Sequence, residues 1–95
     1  MLYITDSFNF YTEIGRLKVT VVSEVFLEKI AELVSCSGIV LNNISHHDVS
    51  RQLKELLPIL PDQNHLGTIT LRKEELVIVV RLNYGRFEFS LVTLS

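Results

Sequence analysis

Ninety-five residues, 47% hydrophobic and 21% charged, suit one domain (1–95) with one modest core and fit neither a disordered nor a fibrous chain. The formal net charge of −2 lacks the Lys and Arg excess with which a protein coats nucleic acid nonspecifically, although a small, locally bound anion stays compatible. Cys36 has no second cysteine to pair with, and no charged-then-apolar leader or membrane-length apolar run is found, so a cytoplasmic protein with neither DNA nor membrane as partner is expected.

Leu2–Thr5 is a short β-prone run, followed by a loop in which Phe8, Phe10 and Tyr11 interleave with Asp6, Ser7 and Asn9. Leu17, Val19 and Val21 alternate with Lys18 and Thr20, which predicts a half-buried strand. Ser23 then caps a helix over 24–34, whose apolar stripe is Phe26, Ile30, Leu33 and Val34 and whose wet side carries Glu28, Lys29 and Glu32. Residues 39–41 form a brief strand or an extended lead into the next helix.

That second helix is the best-marked stretch of the chain. Ser45 with Asp48 three residues on has the spacing of a capping box, so the helix is expected from His46, and Pro58 should stop it at Leu57. Val49, Leu53, Leu56 and Leu57 recur at helical spacing; Leu60 continues it only if a turn persists past the proline. At about 100° per residue, His46 projects in line with Leu53 and Leu57, with Ser50 beside it, and His47 points to solvent.

Beyond a polar connector over 62–65, Ile69 and Leu71 alternate with Thr68, Thr70 and Arg72 as a strand with one wet face. A charged turn over 73–75 leads into 76–80, a continuous, mostly β-branched apolar run that belongs at the centre of a sheet. Asn83, Tyr84 and Gly85 read as a hairpin turn into an alternating final strand with Phe87, Phe89 and Leu91 inward. The order predicts an α+β two-layer domain: a mixed, mostly antiparallel sheet of about five strands packed with two main helices.

Adjacent helical residues diverge too far for His46, His47 and Asp48 to grip one ion, so no metal site is expected. Neither a nucleophile elbow nor a glycine-rich phosphate loop is present. His46 remains. A helix N-terminus disfavours a positive imidazole and attracts an anion to its free N–H groups, and a histidine beside a phosphodiester can move protons while RNA supplies its own 2′-OH as nucleophile. Read from the residues alone, a histidine on an apolar face is more often a core residue bonded to a backbone carbonyl. Phe8, Phe10 and Tyr11 suit adenine stacking or the edge of a core, and Arg51, Lys54, Arg81 and Arg86 suit phosphates or plain solvation.

The chain resembles the viral ring nucleases that act as type III anti-CRISPR proteins. MLYITDSFNF is similar to that family's opening strand and loop, with Asp6 where Asn is usual and Asn9 where Ser is usual. NISHHDVSRQL is similar to its Ile-Gly-His segment and following helix, which puts His46 on the catalytic histidine and Ser45 on the glycine; ITLRKEELVIVV and GRFEFSLV are similar to its later strands. RLNYGR is shorter than the family's loop before the last strand, and Asn83 and Tyr84 supply no carboxylate there. The resemblance implies a homodimer that needs no cofactor and that binds cyclic tetra-adenylate across its two-fold axis. His46 is then catalytic, and Ser7, Phe8, Asn9, Ser45, Ser50, Arg81 and Arg86 contact the ligand. Two rival readings fit the same residues: a protein that sequesters a cyclic oligonucleotide without cutting it, and a structural homodimer with no ligand.

Overall fold

A computed structural model describes residues 1–8, 10–12, 17–22 and 27–94, with residues 17–22 described by their backbone. The elements run β1 (Leu2–Thr5), β2 (Phe10–Thr12), β3 (Leu17–Val22), α1 (Leu27–Cys36), β4 (Val40–Asn43), α2 (His47–Leu56), β5 (Ile69–Leu71), β6 (Leu76–Asn83) and β7 (Arg86–Leu94). Five strands form one sheet in the order β3-β7-β6-β1-β4, and β2 pairs with β5 in a second, two-stranded sheet. The protein is an α+β fold with a mixed sheet. Its longer ladders, β3–β7 and β7–β6, are antiparallel, and the shorter ones, β6–β1 and β1–β4, are parallel.

The apolar run of β6 explains the layering. Ile78 and Val80 face a cluster built with Ile30 and Val34 of α1, Leu53 and Leu57 of α2, and Phe87 and Phe89 of β7. Val77 and Val79 face the other way, into a cluster with Tyr3, Val92, and Ile69 and Leu71 of β5. A strand apolar on both sides needs cover on both. Helices cover one face, and the small β2–β5 sheet covers part of the other. That second cover was not anticipated, because Phe10 and Tyr11 read as loop; they form β2, aligned in parallel with Ile69 and Thr70.

α1 keeps its expected stripe, with Ile30 and Val34 buried and Glu28, Lys29 and Glu32 in solvent. It runs to Cys36, two residues past the expected end, and is closed by Ser37, whose N–H and hydroxyl both donate to the Leu33 carbonyl at 3.0 and 2.7 Å. The proposed Ser23 cap and Phe26 lie outside the described residues. α2 ends before Pro58 as expected, and a turn does persist beyond it: the Leu60 N–H donates to the Leu57 carbonyl at 3.0 Å, which buries Leu60. Leu56 departs from its expected stripe. It is half exposed, on a groove of about 440 Å³ that also touches Phe87 and Phe89.

The connector after α2 closes the sheet edge. Asn42 of β4 is 1% exposed, yet every polar group of its side chain is bonded: its amide donates to the Pro61 carbonyl at 2.7 Å, and its carbonyl accepts from the Ile44 N–H at 3.0 Å. The Asn64 side chain accepts from the Asn42 N–H at 2.7 Å and donates to the Val40 carbonyl at 3.1 Å. Residues 61–65 thus occupy polar groups that an edge strand otherwise leaves open to a second chain. At the opposite end of the meander, Tyr84 and Gly85 have φ values of 51° and 77°, the doubly left-handed pattern of a two-residue hairpin turn.

Candidate functional site

β1 and β4 run parallel, side by side, and their carboxyl ends release the chain at the same edge: Asp6 follows β1, and Ile44, Ser45 and His46 follow β4 on the way into α2. In open sheets with parallel strands, ligands bind outside such carboxyl ends. Asp6 and His46 meet there.

The helix begins one residue later than the capping box predicts. His46, not Ser45, occupies the N-cap, with extended backbone (φ −80°, ψ 114°) and, among the described residues, no side-chain cap on the first turn. Ser45 is engaged elsewhere, because its hydroxyl donates to both Asp6 carboxylate oxygens at 3.2 Å and its N–H donates to Oδ2 at 3.1 Å. The same Oδ2 accepts the His46 N–H at 2.8 Å and lies 2.6 Å from His46 Nδ1. One carboxylate therefore gathers four donors from two consecutive residues.

The inward direction expected for His46 is overturned. Helical projection applies only to residues with helical backbone, and His46 precedes the first of them; its side chain is 73% exposed. The core-histidine reading fails with it, since the imidazole is bonded to a carboxylate and not to a buried carbonyl. Asp6 has the opposite character, with a side chain 4% exposed. Burial pushes the Asp6 carboxyl up, but the hydrogen bonds from His46 and Ser45 together outweigh it, so the group lies below its ordinary value. Asp6 thus engages the Nδ1 position of a ring whose side chain is otherwise largely open to solvent.

The remaining predicted residues divide. Ser50 is half-buried on the first turn of α2, its N–H donating to the His46 carbonyl at 3.0 Å. Ser7 is exposed just past Asp6, and Phe8 is half exposed with its ring 5.9 Å from that of Phe10. Asn9 lies outside the described residues. Arg81 sits at the carboxyl end of β6, two positions beyond Val79, the partner of Thr5; strand alternation places it with Val77 and Val79 on the sheet face opposite the helices. Arg86 is opposite Asn83 at the hairpin, on that same face. Both arginines are exposed, and among the described residues neither makes an ion pair or hydrogen bond with Asp6 or His46.

A second polar concavity, of about 300 Å³, lies at the amino end of β1 and is lined by Tyr3, His65, Thr68, Thr70, Arg72 and Glu75 together with Met1. Burial, then the charge and hydrogen bond of Glu75, raise the Tyr3 hydroxyl above its ordinary value, with Arg72 pulling the other way. His65 stands edge-on to Tyr3 at 5.6 Å, and its Nδ1 is buried without a hydrogen-bond partner among the described residues. Sequence reading passed over this place, and it missed the role of Asp6 as well. The usable signal for Asp6 was a carboxylate directly after a short apolar strand, which points to a strand end and hence to a site.

Two helices on one face of a mixed sheet, with a carboxylate–histidine pair at the carboxyl ends of its parallel strands, define the class of fold and site. Among solved structures the chain is similar to B116 of Sulfolobus turreted icosahedral virus, with a TM-score of 0.72 and 16% identity over 97% of each chain. At that identity the likeness is one of fold. No protein-family model matches the sequence, and no curated protein does. Among the described residues, no helix is long and apolar enough to cross a membrane.

Proposed function

We propose that the protein is a metal-independent ring nuclease that opens a cyclic oligoadenylate, most simply cyclic tetra-adenylate, into linear di-adenylate ending in a 2′,3′-cyclic phosphate. The observation that carries the reading is the exposed imidazole of His46 at the uncapped amino end of α2, where first-turn N–H groups and the helix dipole favour a phosphate. A 2′-oxygen attacks its adjacent phosphorus and the bond to the 5′ oxygen breaks; the doubly protonated His46 ring gives that oxygen its Nε2 proton and becomes neutral, while the 2′-OH proton passes to solvent. Ser7 and Phe8 stand at the same edge as polar and stacking contacts. A homodimer places two such histidines on opposed phosphodiesters of a two-fold ring, and removal of the messenger would silence the defence nucleases that it activates.

The test is incubation with labelled cyclic oligoadenylates of several ring sizes in the presence of chelator. His46→Ala is expected to lose the roughly 10²–10⁴-fold that a general acid–base group contributes. The same variant should stay folded, its unfolding free energy falling by no more than the roughly 1–3 kcal/mol of a partner lost to the buried Asp6 carboxylate. Binding without cleavage by the wild type would replace this reading with sequestration, and the absence of both would leave a structural protein.

A further inference from the structure

We propose that Asp6 is the positioning residue of His46: it fixes both the backbone and the ring so that Nε2 alone is presented to the ligand, with the neutral ring carrying its proton on Nδ1. The consequence for turnover rests on the ring-nuclease reading, whereas the assignment of the proton does not.

Three features lead to it. Asp6 Oδ2 accepts the Ser45 N–H, accepts the His46 N–H and meets His46 Nδ1, so one oxygen ties the entry of α2 and the imidazole to the end of β1. The nitrogen that faces a carboxylate oxygen at hydrogen-bond distance must carry the hydrogen, because a carboxylate only accepts. The two side chains differ sharply in access: 4% for Asp6 and 73% for His46. A ligand of any size therefore meets the histidine and not the aspartate, which excludes Asp6 as a nucleophile or direct proton donor and leaves it to act through the ring. When the ring takes a proton on Nε2 it becomes a cation already paired with Asp6, the service a buried aspartate gives its histidine in a Ser-His-Asp triad.

The arrangement also supplies the carboxylate that the β6–β7 hairpin lacks. Asn83 ends β6, Tyr84 and Gly85 form the turn, and Glu88 lies opposite Arg81 on the ladder. The acid comes instead from forty positions upstream of the histidine, just past the end of the neighbouring parallel strand β1.

Nitrogen-15 spectroscopy of the neutral His46 ring tests this in wild type, Asp6→Leu and Asp6→Asn. The wild-type ring should carry its proton on Nδ1. Asp6→Leu should move it to Nε2 and lower turnover by a factor within the roughly 10²–10⁴ of general acid–base catalysis. In Asp6→Asn the two backbone N–H donors select the amide oxygen for the Oδ2 position, so the Nδ1 proton should persist and turnover should fall between the other two. A wild-type ring protonated on Nε2, an unchanged tautomer in Asp6→Leu, or a switched one in Asp6→Asn would each overturn the proposal. If the wild type cleaves no cyclic oligoadenylate, the proposed function fails while the spectra still decide the role of Asp6.

Discussion

The two halves of the sheet are held by different chemistry. In the antiparallel half, β7 pairs on both sides along long ladders and buries Phe87, Phe89 and Val92. In the parallel half, β1 and β4 contribute four-residue ladders, and much of the order comes from side chains bonded to backbone far away in sequence: Asn42 to Pro61, Asn64 to Val40, Asp6 to Ser45 and His46. Apolar burial is non-directional and tolerates small shifts, whereas hydrogen bonds fix atoms relative to one another. The chemistry-bearing residues lie in the half that is fixed in this way. The three carboxyl strand ends of β4, β1 and β6 open on one edge there, and alternation divides that edge: Asp6 and His46 are at the helix entry, and Arg81 is on the opposite face.

The largest effect should come from the antiparallel half. Phe89, 1% exposed and stacked on Phe87 at 6.1 Å, touches the main core, and Phe89→Ala is expected to cost about 3–5 kcal/mol by urea unfolding. A loss below about 1 kcal/mol would erase the contrast between the halves. In the parallel half, Asn42→Ala removes the acceptor of the Ile44 N–H and the donor to the Pro61 carbonyl. A cost of about 1–3 kcal/mol is expected for the buried group left unpaired. Hydrogen exchange should place that loss locally, in β4 and residues 61–65; a uniform loss across β6 and β7 would mean that the edge is not a separate unit.

Much of this fold could be read from pattern. The apolar run of β6, the Tyr84–Gly85 turn, the arrest of α2 at Pro58 and the stripe of α1 all follow from local rules about periodicity and backbone preference, and local rules are what a sequence displays. His46 was legible as a residue and misread in direction, because a helical wheel assigns a facing to an N-cap residue that has no helical backbone. Leu56 was misplaced for a related reason, since spacing alone cannot say where an apolar stripe ends against its neighbours. The partners of Asp6, Asn42 and Asn64 were hidden. Apart from the local Asn42–Ile44 bond, these span nineteen to forty positions and exist only once parallel strands have aligned, and no periodicity encodes that alignment. The aromatic loop became β2 for the same reason, its partner β5 lying far downstream.

The smallest effect is also the most selective for the fixed half. The Asp6 carboxyl lies below its ordinary value because hydrogen bonds from His46 and Ser45 outweigh the cost of burying it. A group whose folded value is depressed stabilises the fold fully at pH above its unfolded value, and that contribution disappears as pH falls through the folded value. Wild type should therefore exceed Asp6→Asn in stability at neutral pH, and the gap should close on acidification, beginning where free carboxylates protonate and finishing below that range. Paired denaturant titrations across acidic pH measure the gap directly. Asn42→Ala, whose bonds involve no titratable group, should show an offset from wild type that stays flat over the same range. A gap for Asp6→Asn that stays equally flat would mean that the aspartate contributes only as a neutral acceptor, and the parallel half would then differ from the antiparallel half in geometry but not in charge.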